Sequence, residues 1–152
     1  MAAQHSPCTT PDEWIVLANR ELDNIAASYR GRATNDAKCD FALRSVEFAL
    51  KAILWKTHKA TEWPKRNRKT KWLYGHDLPR MLAECDPGLQ QKLQQSAAHF
   101  ASWKSLMNAI VMQYRYAVTP PADKEANEIA RSARHPDEGV VPWLLKHDHQ
   151  MP

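Results

Sequence analysis

A group of basic side chains between aromatic residues has the most evident binding chemistry in the sequence. It lies between Trp63-Pro64 and Trp72-Leu73-Tyr74 and consists of Lys65, Arg66, Arg68, Lys69 and Lys71. From residue 56 to residue 80, eight Lys and Arg side chains stand against two acidic ones, a net charge of +6 within a chain whose total is +4. Lys and Arg contact phosphates and attract polyanions. We name residues 57–75 the basic connector and predict that its five cations bind nucleic acid; a solvated loop is the alternative.

Two roles are open for the aromatic residues that flank these cations. Trp63, Trp72 and Tyr74 could stack on bases, because every base offers a π-face. They could equally hold a long loop against the helices.

Four charged residues form a second pattern. Asp40, Arg44, Glu47 and Lys51 follow one another at spacings of 4, 3 and 4 residues, which places them on one stripe of a helix. Such i,i+4 pairs on a solvent face contribute roughly 0.3 kcal/mol each, and this reading suits Asp40 and Arg44. The rest of the segment is so apolar that Glu47 and Lys51 should be buried, where charges need partners. We assign these two to a ligand cleft or dimer seam, with a structural ion pair as the alternative.

The absence of other known motifs argues against several classes of site. The sequence has no glycine-rich phosphate loop, no GxSxG and no convincing catalytic triad, so no catalytic residues are assigned. Cys8, Cys39 and Cys85 are odd in number and far apart, which argues against disulfides and structural zinc. We expect no metal site and no cofactor. No apolar run approaches the ~20 residues that span a bilayer, and no signal peptide is recognisable, so a cytoplasmic protein without membrane contact is expected.

The elements that position these residues are predicted to be helices only. Helix signals cover residues 11–30, 35–57, 77–85, 86–116 and 122–134, with one or two further turns at 143–147. The sequence offers Asn35 as the cap of the second helix. This helix contains no Gly or Pro and has a single polar stripe, so it should be central. We predict an all-α, up-down bundle of about five helices in one domain, residues 11–147, with tails at 1–10 and 148–152.

Four motifs in order resemble the HEPN family of helical, nucleotide- and RNA-associated domains. Arg44-Ser-Val-Glu47-Phe-Ala-Leu-Lys51-Ala-Ile-Leu54 is similar to the family's central helix, and His76-Asp77-Leu78 to its T-H-D-L element. Tyr114-Arg115-Tyr116 before proline is similar to its R-Y-P element, and an alanine-rich helix then leads to Trp143. The resemblance covers roughly residues 12–147.

The resemblance implies a homodimeric bundle with a cleft for nucleotide or RNA, working beside a nucleotidyltransferase or antitoxin partner. It adds His76, Arg115 and Tyr116 to the expected ligand site. His76 could contact phosphate at a helix start or serve only in capping, and Arg115 could serve only to complement a helix dipole. Catalytic members carry R-x4–6-H, which no arginine here satisfies.

Three functions are therefore carried forward. The first is a non-catalytic HEPN-type module that binds nucleotide or RNA with a partner, in a toxin–antitoxin or defence setting. The second is an atypical metal-independent ribonuclease that uses Arg115, His76 or His99. The third is a structural dimerisation or adaptor domain.

Overall fold

The computed structural model describes residues 8–31, 33–112 and 119–152. Within these ranges the regular structure is entirely helical, with seven α-helices, one 3₁₀ turn and no strand. The helices are α1 (Pro11–Ser28), α2 (Asn35–His58), α3 (Leu78–Glu84), α4 (Leu89–Gln95), α5 (Ala97–Met112), α6 (Asp123–Arg134) and α7 (Val140–Gln150), and the 3₁₀ turn is Lys71–Tyr74. The all-α prediction is confirmed, although the described chain has seven helices rather than about five.

The start of α1 follows its capping residues. Thr10 Oγ1 accepts a hydrogen bond from the backbone N–H of Glu13 at 3.4 Å, and Pro11 takes the first helical position. The Glu13 carboxylate accepts in turn from the backbone N–H of Thr9 at 2.6 Å and from its hydroxyl at 3.0 Å. These hydrogen bonds, the backbone one first, lower the pKa of Glu13. The chain therefore enters α1 in a fixed direction.

Helix α2 is the centre of the bundle, as predicted. It packs against α1, α3, α5, α6 and α7. Val46, Leu50 and Ile53 have no exposed surface, and Phe41 and Phe48 pack partly buried against the same core. Burial on nearly every side explains why the sequence of this helix is apolar around most of its girth.

The residue that caps α2 is Thr34 and not Asn35. Thr34 Oγ1 accepts from the N–H of Ala37 at 3.3 Å. The Asn35 amide instead donates to the carbonyl of Pro121 at 2.9 Å and to Asp123 Oδ1 at 2.7 Å. Asn35 thus joins the start of α6 to the start of α2.

The helix predicted over residues 86–116 begins later than predicted and, within the described residues, is divided once. Gly88 has φ +95°, a left-handed conformation outside the helix, so α4 begins only at Leu89. Ser96 is extended and separates α4 from α5, and its carbonyl accepts from the N–H of Phe100 at 2.8 Å. A serine that starts a new helix here is typical of a cap position. The apolar stripe alone did not reveal it.

The last helix, α7, is longer than the one or two turns predicted. Pro142 is its third residue, where the backbone N–H would have no partner within the helix, so proline is tolerated. Residues 148–150, which the sequence analysis placed in the tail, belong to α7, and Asp148 is buried. Lys56 Nζ on α2 lies 3.1 Å from Asp148 Oδ1, and this ion pair holds the C-terminal end of α7 against α2.

None of the helices in the described ranges is long and apolar enough to cross a membrane.

Candidate nucleic-acid interface

A buried ion pair on α2 forms the base of the candidate site. Glu47 and Lys51 are 4% and 7% exposed, and Lys51 Nζ lies 3.8 Å from Glu47 Oε1. Their spacing places both on one face of α2, as the sequence predicted. Asp40 and Arg44 lie two turns and one turn before Glu47; their charged groups are 3.5 Å apart and partly exposed. Of the two ion pairs on this stripe, only Glu47–Lys51 is therefore buried.

His76 joins this pair from outside. Its Nδ1 lies 2.7 Å from Glu47 Oε1, while 72% of its side chain is exposed. The next residue, Asp77, caps α3 by accepting from the N–H of Arg80 at 3.2 Å, which fixes the backbone beside His76. Because a carboxylate can only accept, Nδ1 carries the proton in this arrangement. The site thus offers an imidazole oriented by a buried carboxylate.

Aromatic packing closes the other side of Lys51. Its Nζ lies 5.0 Å from the centre of the Trp14 ring, a cation–π distance. Burial lowers the pKa of Lys51 below its ordinary value, and the Glu47 charge opposes that shift. Burial also raises the pKa of the Cys8 thiol, with Glu13 raising it further and Lys51 opposing. Lys51 therefore lies in a dry environment in which Glu47 stabilises its charge.

The five cations of the basic connector are all exposed, as predicted. A short turn organises the backbone between them: Asn67 Oδ1 accepts from the N–H groups of Lys69 at 2.8 Å and Thr70 at 3.1 Å. Thr70 Oγ1 accepts from the N–H of Asn67 at 2.9 Å and donates to the carbonyl of Lys65 at 2.5 Å. The cations consequently project from a defined loop.

One end of this loop packs into the bundle beside Lys51, and the other end is hydrogen-bonded back to the first. Trp63 is buried, with its ring centre 5.1 Å from that of Trp14 and 5.6 Å from that of Trp55. At the other end, the Tyr74 hydroxyl donates to the carbonyl of Pro64 at 2.5 Å. Burial raises the pKa of Tyr74, and the charge of Arg66 opposes this. Of the two roles considered for Trp63, its burial favours anchoring the loop over stacking on a base.

The remaining aromatic residue of the connector, Trp72, is partly buried. The Arg80 guanidinium lies 4.7 Å from its ring centre. This cation–π contact adds a charge from α3 to the edge of the connector. One partly exposed ring and its cation are available at the surface.

The structure brings together three of the five expected ligand residues. Glu47, Lys51 and His76 form one cluster, and the connector adjoins it through the contact of Trp63 with Trp14. Arg115 and Tyr116 lie outside the described residues. His99, considered for the ribonuclease alternative, lies at the start of α5, with Nδ1 2.6 Å from Ser96 Oγ. Trp14, which contacts Lys51, is not among the site residues that the sequence predicts, because its spacing in α1 indicates only an apolar helix face.

Comparisons with known proteins found no matching family model, no matching curated protein and no matching solved structure. No group of three or more His, Cys, Asp or Glu side chains in the described part of the chain is placed to hold a metal ion.

Proposed function

We propose that this protein is a non-catalytic, HEPN-type helical bundle that binds nucleotide or RNA through the basic connector. The observation that carries the proposal is the display of five exposed cations on a turn that is closed by the Tyr74–Pro64 hydrogen bond and anchored by Trp63 on Trp14, beside Lys51. Exposed cations in this number suit contact with successive phosphates and the release of counterions. The oriented His76 supplies a directional contact next to them.

The proposed setting is a cytoplasmic toxin–antitoxin or defence system. The order of the four HEPN-like motifs supports a homodimer that works with a nucleotidyltransferase or antitoxin partner. In this proposal Arg115 and Tyr116 belong to the ligand site, as the family resemblance implies.

A second candidate function is the atypical metal-independent ribonuclease. The observation in its favour is the hydrogen bond of 2.7 Å between buried Glu47 and the exposed His76 ring. In this candidate function the imidazole, oriented by the carboxylate at Nδ1–H, acts as the general base. It could take the proton from a ribose 2′-hydroxyl, with a cation of the connector beside the phosphate.

Binding of a labelled single-stranded RNA, measured by fluorescence anisotropy at several salt concentrations, tests the proposal. The test variant replaces the five connector cations by Gln. A matched control replaces five exposed cations elsewhere, namely Arg20, Lys92, Lys104, Lys124 and Lys146. Both variants have the same net charge, because each loses five positive charges from a total of +4. General electrostatic attraction is therefore equal in the two.

We expect the connector variant to bind far more weakly than the control. Each lost phosphate contact should flatten the slope of log K against log salt by about 0.7. Melting temperatures of the two variants should agree closely, because the replaced side chains are exposed. Equal weakening in both would contradict a specific role of the connector. No binding by the natural sequence at low salt would favour the adaptor function instead.

The same preparations distinguish the ribonuclease. The non-catalytic proposal expects intact RNA after prolonged incubation with EDTA. Cleavage that is lost in His76→Ala and retained in the control variant would replace it with the nuclease.

A further inference from the structure

A groove beside Tyr29, at the end of α1 opposite to Trp14, contains a second set of polar side chains. Its volume is about 560 Å³, and Tyr29, Asn127, Arg131, Arg134 and His135 contribute to its lining. Small-molecule sites commonly have volumes of about 300–1,000 Å³. Trp14 and Tyr29 are separated by most of α1, roughly 22 Å at the rise of an α-helix. The groove is therefore distinct from the connector and its adjoining cluster.

Helix α6 supplies one wall of the groove. Asn127, Arg131 and Arg134 are spaced by 4 and 3 residues, so they share a face of the helix. Arg131 Nη2 lies 2.7 Å from Glu138 Oε2, and this hydrogen bond and charge lower the pKa of Glu138. No carboxylate in the described ranges pairs with Arg134, which is exposed. The groove consequently holds an uncompensated guanidinium.

His135 contributes a second donor. Its Nδ1 accepts from the backbone N–H groups of Asp137 at 3.2 Å and Glu138 at 3.1 Å. Nδ1 therefore carries no proton in this arrangement, and the ring N–H is Nε2–H. The tight turn that makes these bonds requires Gly139, since a Cβ there would lie 2.5 Å from the His135 carbonyl oxygen. The imidazole is thus held as a donor by its own loop.

Lys38 at the start of α2 orients the remaining wall. Its Nζ donates to Asn127 Oδ1 at 2.9 Å and lies 4.4 Å from the centre of the Tyr29 ring. With its oxygen so occupied, Asn127 has its amide N–H groups left for a ligand. Tyr29 is 48% exposed and provides an aromatic surface beside them.

We propose that this groove binds a small phosphomonoester that carries a planar ring, the chemistry of a nucleoside monophosphate. Arg134, His135 Nε2–H and the Asn127 amide N–H groups all offer hydrogen-bond donors to a ligand. A set made of donors suits a phosphate, whose oxygens accept. The ring of the ligand lies against Tyr29. Arg131 and Arg134 also complement the negative end of α6, but the helix dipole does not account for the amide and imidazole donors beside them.

Isothermal titration calorimetry with adenosine monophosphate, adenosine and inorganic phosphate tests this site. Arg134→Gln removes the charge. His135→Asn keeps an oxygen that can accept from the turn and removes the Nε2–H donor. Lys124→Gln, an exposed charge elsewhere on α6, is the matched control.

We expect adenosine monophosphate to bind more tightly than either fragment. Arg134→Gln and His135→Asn should each weaken it, the former by about tenfold to a hundredfold, while Lys124→Gln leaves it unchanged. The proposal is overturned if the monophosphate does not bind, or if its affinity is the same in all variants. Phosphate that binds as tightly as the monophosphate would overturn the role of Tyr29.

The experiment also separates this site from the proposed function of the connector. The variant that lacks the five connector cations should keep its affinity for the monophosphate. Arg134→Gln should keep its affinity for single-stranded RNA. Loss of monophosphate binding in the connector variant would show that the ligand binds there and not in the groove.

Discussion

Replacing Glu47 by Ala would leave Lys51 charged and buried without its carboxylate. The two groups are 5% and 8% exposed at the side chain and 3.8 Å apart. At an effective dielectric constant of about 20, two unit charges at this distance attract by roughly 4 kcal/mol. Removal of one partner of a buried pair typically destabilises by about 3–5 kcal/mol, because the other charge stays buried. We expect Glu47→Ala to lower the free energy of unfolding by about 3 kcal/mol at neutral pH.

The companion replacement, Lys51→Met, should be less harmful. Glu47 would keep its hydrogen bond of 2.7 Å to His76, and the methionine would fill the space against Trp14. In the double variant neither charge is left alone. The sum of the stability losses of the two single variants should therefore exceed the stability loss of the double variant by about 2 kcal/mol. A coupling of this size is within the range for residues in contact.

The pH dependence gives an independent check of the same reasoning. Burial already lowers the pKa of Lys51 below 10.5, with Glu47 opposing, so the Glu47→Ala variant should have a still lower pKa there. Between the folded pKa and the unfolded one, the unfolded chain binds more protons, and stability rises with pH. This window extends to lower pH in the variant. The loss caused by Glu47→Ala should consequently be smaller at about pH 9.5 than at pH 7.

Urea denaturation of the four proteins at both pH values measures these quantities. Lys51→Met should show none of the pH effect that Lys51 causes. The reasoning would be refuted by additive single losses, or by a Glu47→Ala loss that does not change with pH.

Two further predictions concern the turn and the thiols. Gly139→Ala should destabilise by about 1–3 kcal/mol in thermal melts, because the added Cβ would lie 2.5 Å from the His135 carbonyl oxygen. Gly31→Ala is the control, since its Cβ would lie 3.5 Å from the Ala27 carbonyl oxygen, an ordinary contact distance; equal effects would contradict the steric argument. Burial raises the pKa of Cys39 to about 11 and of Cys85 to about 12, so both should react slowly with a disulfide reagent at about pH 8 until the protein unfolds. Rapid reaction in the folded state would contradict their burial.

Local signals predicted the helical class and most helix starts. Thr10-Pro11 and Asp77 carry the chemistry of a helix start within a few residues, and that chemistry is visible in any sequence. The length of α2 and the burial of Glu47 and Lys51 followed from its composition. These features depend on residues close in sequence.

Features that depend on distant residues escaped prediction. Asn35 looked like a cap, but its partners are Pro121 and Asp123, more than eighty positions away. The bond between His76 and Glu47 joins residues 29 positions apart, and only the family resemblance suggested a shared site. The groove beside α6 depends on Lys38, which no local pattern connects with Asn127.

The hydrogen bonds inside the basic connector also affect the entropy of binding. Fixing a residue's backbone removes about 1–2 kcal/mol of conformational entropy at room temperature. In this loop the bonds of Asn67 and Thr70, and that of Tyr74 to Pro64, have already fixed the backbone during folding. A polyanion that binds here has only the long Lys and Arg side chains left to order, unlike one that binds a disordered basic tail. Two loops with the same charge would thus differ in affinity according to Asn67 and Thr70, which carry no charge at all.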